Sequence, residues 1–206
     1  MPPRRILSAH ISAAARSRAL AALLPAARRP AGLILLSCAL LLAGCAGDTR
    51  HRILVSTADQ EMLVLRDGKP LARYPVSTSK FGLGNRPGSN ATPLGNLRVK
   101  KKIGGGAPAG MVFKGRRPTG EILAPDAPGR DPIVTRILWL DGCDFKNRNA
   151  FARCIYIHGT PEERTIGSPA SYGCIRMKSD DVIELFDAVG VGARVVISDR
   201  PLAPRE

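Results

Sequence analysis

Aromatic residues make up only 4% of this 206-residue chain, and histidine occurs three times. No apolar run approaches the roughly 20 residues that a membrane-spanning helix needs. The longest, AGLILLSCALLLA at 31–43, has 13. Paired Cys-x-x-Cys spacing is missing, which removes the usual structural zinc frameworks, and no metal or other cofactor is expected. Acidic residues are absent from the first 44 positions, which hold Arg4, Arg5, Arg16, Arg18, Arg28 and Arg29. What is present, 206 residues at 44% hydrophobic content, suits one domain with a real core.

A basic leader followed by a short apolar run has the layout of an export signal. The run ends in Leu42, Ala43, Gly44 and Cys45, which resembles the bacterial lipoprotein box. On that reading residues 1–44 are a signal peptide, Cys45 is the lipidated first residue of the mature chain, and acyl chains anchor the protein to a membrane. Residues 45–51 then form a short polar tether, 52–198 the folded domain and 199–206 a C-terminal tail. Ala46 after Cys45 points to the outer membrane if the host follows the common Gram-negative rule, and the site of action is the cell envelope, on the periplasmic side. Removing 1–44 takes six arginines and no acid, so the net charge falls from +14 to +8. Export and the lack of a nucleic-acid motif set nucleic acid aside as a partner, leaving the charge as a solvated face suited to an anionic wall.

Five cysteines sort by position. Cys38 leaves with the signal and Cys45 takes lipid, so the exported domain keeps Cys143, Cys154 and Cys174. In an oxidising compartment an odd number asks for an explanation. Cys143 and Cys154 bracket the polar DFKNRNAFAR between the apolar stretches LWL and IYI, the pattern of a disulfide closing a hairpin loop. Such a bridge would contribute on the order of 3 kcal/mol. Cys174 is then left free for chemistry.

From position 52 the pattern is strand-like: RILVS, EMLVL, the turn pair Asp67-Gly68, then PLARYPVS. LRVKKKI reads as a further strand, with GGGAPAG and GRRPTGE as substrate-binding loops. IVTRILWL and CIYI read as buried strands, which puts His158 at a strand end. Helical spacing is clear once, in Val182, Ile183, Phe186 and Val189, with Ser179 as N-cap, Asp180 and Asp181 in the first turn, and Gly190 as the stop. Arg194–Ile197 closes the chain as a strand. The fold class is mainly β with one short α-helix near the C-terminus.

His10 lies in the signal and His51 in the tether, so His158 is the histidine a folded domain would hold rigidly. Cys174 follows 16 residues later in SYGCIRM, where a glycine lets successive backbone N–H groups turn toward one point. A thiol near pKa 8.5 is mostly protonated at neutral pH, and a neighbouring imidazole can accept its proton.

IHGT, a gap, then SYGCIRM resembles the signature of the L,D-transpeptidase catalytic domain (YkuD-type): a histidine, then Ser/Thr-His-Gly-Cys-hydrophobic-Asn/Arg. The segments VSTSKFGLGNRPGSNATPLG, VFKGRRPTGE and RILWLDG resemble the family's other recurrent stretches in the expected order. The resemblance implies an L,D-transpeptidase-type β-sandwich acting on peptidoglycan stem peptides. Cys174 would attack the carbonyl of the third residue of a tetrapeptide stem, commonly meso-diaminopimelate, expel D-alanine and form a thioester that an amine resolves. It implies His158 as general base, oriented by the Gly159 carbonyl, and oxyanion N–H groups from Gly173 and Cys174. Arg176 matches the final Asn/Arg, and braces the loop or meets a substrate carboxylate. Ser171 shapes the loop. Tyr172 departs from the pattern, standing where many members have histidine; it keeps a hydroxyl and a backbone N–H but not an imidazole.

The acceptor stays open: another stem gives a 3-3 cross-link, a protein lysine tethers an acceptor lipoprotein, and water makes a carboxypeptidase. A non-catalytic peptidoglycan-binding lipoprotein on the same fold is the rival class.

Overall fold

The computed structural model describes residues 47–202; the expected signal, 1–44, and the lipidation site Cys45 lie outside them. Ten strands run in one connected ladder: β1 (His51–Ser56), β2 (Glu61–Arg66), β3 (Lys69–Pro75), β4 (Gly95–Ile103), β5 (Met111–Lys114), β6 (Arg117–Ile122), β7 (Ile133–Gly142), β8 (Tyr156–Gly159), β9 (Ile175–Met177) and β10 (Arg194–Ser198). Their order is β3-β2-β1-β10-β4-β7-β5-β6, and β8 branches from β7 to carry β9. One α-helix, α1 (Ser179–Ala188), precedes β10. Among the described residues the mainly-β expectation with a single late helix holds.

Alternation sets the inner face. Ile53 and Val55 of β1, Val195 and Ile197 of β10, and Leu97 and Val99 of β4 all enter one large core. Helix α1 adds Val182, Leu185 and Phe186 to it. The Asp67-Gly68 pair turns β2 into β3 with both residues at positive φ, 51° and 80°, the geometry of a two-residue hairpin.

The hub is β7. Its C-terminal half pairs with β4, as in Leu138 against Lys102, and also with β8, as in Leu138 against Ile157. Strand β8 in turn pairs in parallel with β9, Ile157 beside Ile175 and His158 beside Arg176. Every residue of β8 and β9 is buried, as parallel pairing between covered faces requires.

Several local expectations are corrected. GRRPTGE is not all loop: Arg117–Ile122 forms β6, exposed throughout and paired only to β5, so backbone bonding rather than apolar alternation defines it. Strands β5 and β9, of four and three residues, are too short to show a period. The segment before β1 is no free tether. Asp48 accepts from the Gly190 N–H at 2.6 Å and the His51 N–H at 3.0 Å, and its own N–H donates to Val191 at 2.7 Å.

Cys143 and Cys154 are free thiols, which corrects the expected disulfide. The β7–β8 register continued from Trp139 against Tyr156 sets Cys154 opposite Asp141, two residues short of Cys143. The chain also leaves the strand at Gly142, where a Cβ would lie 2.0 Å from the Asn147 carbonyl oxygen. The segment then wraps back so that Phe151 stacks on Trp139 with centroids 4.0 Å apart.

The N-cap position of α1 is Lys178, and Ser179 is the first helical residue. Its N–H donates to Glu163 Oε1 at 2.8 Å, so a carboxylate from a distant 3-10 turn does the capping. Glu163→Ala should therefore lower unfolding stability by about 1 kcal/mol. Urea melts monitored by far-UV circular dichroism check this, and an unchanged midpoint would mean that water caps the helix as well.

Candidate functional site

A cleft of about 180 Å³ is lined by Asp131, Ile133, His158, Ser171, Tyr172, Cys174 and Arg176. Five residues picked out in the sequence thus meet in one place. The β8–β9 register explains why. His158 and Arg176 are direct neighbours across the parallel pair, and Cys174 stands one residue before β9, opposite Tyr156. The Tyr156 N–H donates to Cys174 Sγ at 3.4 Å.

His158 is 6% exposed, and its Nδ1 lies 2.8 Å from the Gly159 carbonyl oxygen. A carbonyl only accepts, so Nδ1 carries the proton and Nε2 keeps its lone pair. Burial pulls the imidazole down to about 4, against the opposing pull of the Gly159 carbonyl and Asp131. Burial pushes the Cys174 thiol up to about 11, against the Tyr156 N–H and the guanidinium groups of Arg176 and Arg153. The thiol donates to the Cys154 carbonyl at 3.4 Å. At neutral pH the resting pair is therefore a thiol and a neutral imidazole, with no preformed thiolate.

The loop carrying Cys174 is closed from within. Ser171 Oγ donates to the Cys174 carbonyl at 2.6 Å and accepts the Gly173 N–H at 3.2 Å. That second bond corrects one expectation, because the Gly173 N–H is engaged and does not point free into the cleft. Gly173 sits at φ 114°, a conformation that disfavours any side chain. The loop is also pinned from outside, since Lys80 N–H donates to the Ser171 carbonyl at 3.1 Å.

Tyr172 faces outward at 59% exposure. Its hydroxyl accepts from Lys80 Nζ at 3.0 Å, and its ring lies 5.3 Å from that of Phe81. Arg176 is 2% exposed and pairs through Nη1 with Asp131, with Glu162 Oε2 at 3.6 Å. Thr160 donates its hydroxyl to the other Asp131 oxygen at 2.5 Å. Of the two roles left open for Arg176, this favours the brace, which ties β9 to the segments at 131 and 160–162. Sequence reasoning missed Asp131, Thr160 and Glu162, because nothing in their local pattern marks Asp131 as the partner of a residue 45 positions away, Glu162 as a neighbour of the same arginine, or Thr160 as a donor to Asp131.

His51 calls for a correction. It is not loosely held, since its Nδ1 lies 2.8 Å from Asp48 Oδ2 and its side chain is 12% exposed. It lines a different cleft, so His158 keeps its assignment by place and not by elimination.

A β-rich domain thus sets an imidazole on one buried strand and a cysteine thiol just ahead of the strand paired with it. The chain belongs to the YkuD L,D-transpeptidase catalytic domain family, whose model matches residues 50–197. A Bacillus subtilis (strain 168) protein named as an L,D-transpeptidase, YqjB, is 31% identical over 157 residues, covering 71% of this chain and 70% of that protein. Escherichia coli (strain K12) YbiS, also named as an L,D-transpeptidase, is 42% identical over 162 residues, covering 75% of this chain and 47% of its own length. The chain thus spans less than half of YbiS. A solved L,D-transpeptidase from Mycobacterium smegmatis aligns with TM-score 0.46 at 19% identity, over 72% of this chain and 58% of that one, a likeness too slight to carry an argument.

The perturbed pair has two consequences in solution. A thiol held about two units above its usual value has roughly a hundredth of the thiolate at pH 7. Cys174 should react with iodoacetamide about a hundredfold slower than a short cysteine peptide, with the rate climbing toward pH 11. Peptide mapping by mass spectrometry measures it, and faster reaction than the peptide would mean that a thiolate–imidazolium pair already exists. Stability follows the same linkage. His158 titrates lower in the folded state, so stability falls as pH drops from about 6.5 toward about 4. Cys174 titrates higher, so stability falls as pH rises from about 9 toward about 11, and Cys174→Ala should flatten that alkaline limb in thermal melts.

Proposed function

We propose that the protein is an L,D-transpeptidase that acts on tetrapeptide stems of peptidoglycan in the cell envelope. The observation that carries the reading is the shared cleft of His158 and Cys174, with the imidazole locked by Gly159 in the tautomer that leaves Nε2 basic. Cys174 Sγ attacks the carbonyl of the third stem residue, commonly meso-diaminopimelate, while Nε2 of His158 takes the thiol proton. Because the resting pair is neutral, attack and proton transfer proceed together, and charge appears only as the tetrahedral intermediate forms. With the Gly173 N–H bound to Ser171, the backbone N–H groups of Cys174 and Tyr172 are the candidates for its oxyanion.

Collapse of the intermediate breaks the peptide bond, and the imidazolium returns its proton to the leaving D-alanine amine. The acyl group stays on Cys174 as a thioester. An acceptor amine then attacks, His158 removes its proton, and the thiol is regenerated. An amine on a second stem yields a 3-3 cross-link, and a lysine on an acceptor lipoprotein yields a tethered protein. Arg176 acts through the loop, because its pairing with Asp131 fixes where β9 begins and so where the thiol stands. The expected lipid on Cys45 would keep this chemistry at a membrane surface within reach of the wall.

Muropeptides bearing tetrapeptides, incubated with the protein and followed by mass spectrometry, test the reading. Release of D-alanine with dimer formation is expected, and Cys174→Ala should reduce it by at least about a thousandfold. Tripeptide without dimer would mean that water resolves the thioester. No change in the native protein would overturn the enzyme reading in favour of a peptidoglycan-binding module. Tyr172→Phe should keep turnover within about threefold, since the ring faces Lys80 and Phe81 and only the backbone N–H is offered to the oxyanion. A larger loss would give the hydroxyl a direct part.

A further inference from the structure

The outer face of the β2-β1-β10-β4 sheet carries an unusual row. In register across the four strands it reads Leu65, Arg52, Arg194, Arg98. The next row reads Leu63, Leu54, Val196, Asn96. The intervening residues, such as Ile53 and Val195, point the other way into the core. Three arginines therefore stand directly opposite one another on adjacent strands, all exposed. Like charges so placed destabilise a sheet.

Counter-ions do not explain the row. Arg98 shares Asp141 at 2.8 Å with Lys100 at 3.7 Å. The two nearby acids are taken elsewhere, Asp67 by Arg50 and Asp48 by His51 and the Gly190 N–H. Among the described residues no carboxylate pairs with Arg52 or Arg194. These two guanidinium groups border a cleft of about 570 Å³ that also takes in Arg50 and Leu65. Exposed Arg66 and Lys69 flank it on the adjoining hairpin.

We propose that this face rests on an anionic phospholipid bilayer, Arg52 and Arg194 taking headgroup phosphates while the half-buried Leu54, Leu65 and Val196 meet the interface. Charge alone would fit any phosphate-rich polymer. Two features favour a bilayer. Leu54, Leu65 and Val196 stay half-buried on this face, and Leu71 on β3 is 47% exposed, so the arginines edge an apolar strip as interfacial surfaces do. The described chain also begins beside the row: Asp48 is bonded to Val191, three residues before Arg194, and the sequence just upstream holds Cys45 and the apolar run 31–43. The inference stands apart from the transpeptidase reading, since none of these residues lines the cleft of Cys174.

The test uses the full chain in a vesicle flotation assay at two salt concentrations. Phosphatidylcholine vesicles report binding by the apolar leader and any lipid on Cys45, and vesicles with about one third phosphatidylglycerol report the added anionic term. The native protein should float more on the anionic vesicles, and high salt should erase the difference. Arg52→Gln with Arg194→Gln should cut the anionic gain roughly thirtyfold, leaving neutral-vesicle binding unchanged. Lys146→Gln with Arg148→Gln removes the same charge from another exposed surface and should cost less than about twofold. Matching melting curves verify folding, and Arg52→Lys with Arg194→Lys, which keeps the charge, should restore binding. Equal flotation of the native protein on both vesicles, or an equal loss in the control variant, overturns the proposal. Binding to soluble polyphosphate that depends on Arg52 and Arg194, without any gain from phosphatidylglycerol, moves the face to a phosphate polymer and overturns the bilayer.

Discussion

The parallel pairing of β8 with β9 is the constraint on which the site depends. It fixes His158 beside Arg176 and leaves Cys174 opposite Tyr156. Both strands are short and wholly buried, so neither could hold its position alone. Strand β8 is held by β7, the longest strand of the sheet, and β9 by β8 and by the bridge from Ser77 to Arg176. A slip of one residue would turn His158 to the opposite face and move the thiol along the strand by over 3 Å. The buried Arg176–Asp131 pair opposes such a slip, because shifting β9 would strand a guanidinium in the interior without its carboxylate.

Burial that fixes geometry also sets the charge state. The imidazole is buried and the thiol half-buried in the cleft, and desolvation favours the uncharged form of each. The thiol is thus quiet toward solvent electrophiles. Its reaction needs an electrophile held in the cleft long enough for attack and proton transfer to coincide. Such a thiol trades intrinsic nucleophilicity for selectivity, since a passing oxidant meets a protonated sulfur.

Legibility in the sequence followed the length of each signal. Strands with five or more alternating or β-branched residues, such as RILVS and IVTRILWL, were readable because burial on one or both faces leaves a pattern. Strand β6 was not, since RPTGEI owes its form to backbone bonds with β5 and carries no apolar code. The cleft was legible through its motif, which fixes His158, Ser171, Cys174 and Arg176 at set spacings. The acids around Arg176 come from segments 14 and 45 residues away, and such contacts leave no local trace. The expected disulfide failed for a related reason: bracketing cysteines match a hairpin in one dimension, but the register sets Cys154 against Asp141.

Tyr172 shows how a departure from a family pattern is absorbed. An imidazole at that position would stand two residues before Cys174 and carry a titratable proton. The phenol instead leans away, onto Phe81 and under Lys80, whose Nζ lies 4.3 Å from the ring centroid. The tyrosine side chain thus lies at the edge of the cleft, against Lys80 and Phe81, while the backbone path through Gly173 to Cys174 is kept by Ser171. What the loop requires at this position is a backbone N–H and a side chain that does not fill the cleft, and tyrosine meets both requirements. Among the residues lining the cleft, His158 is then the one imidazole, and its tautomer is set by one carbonyl of its own neighbour.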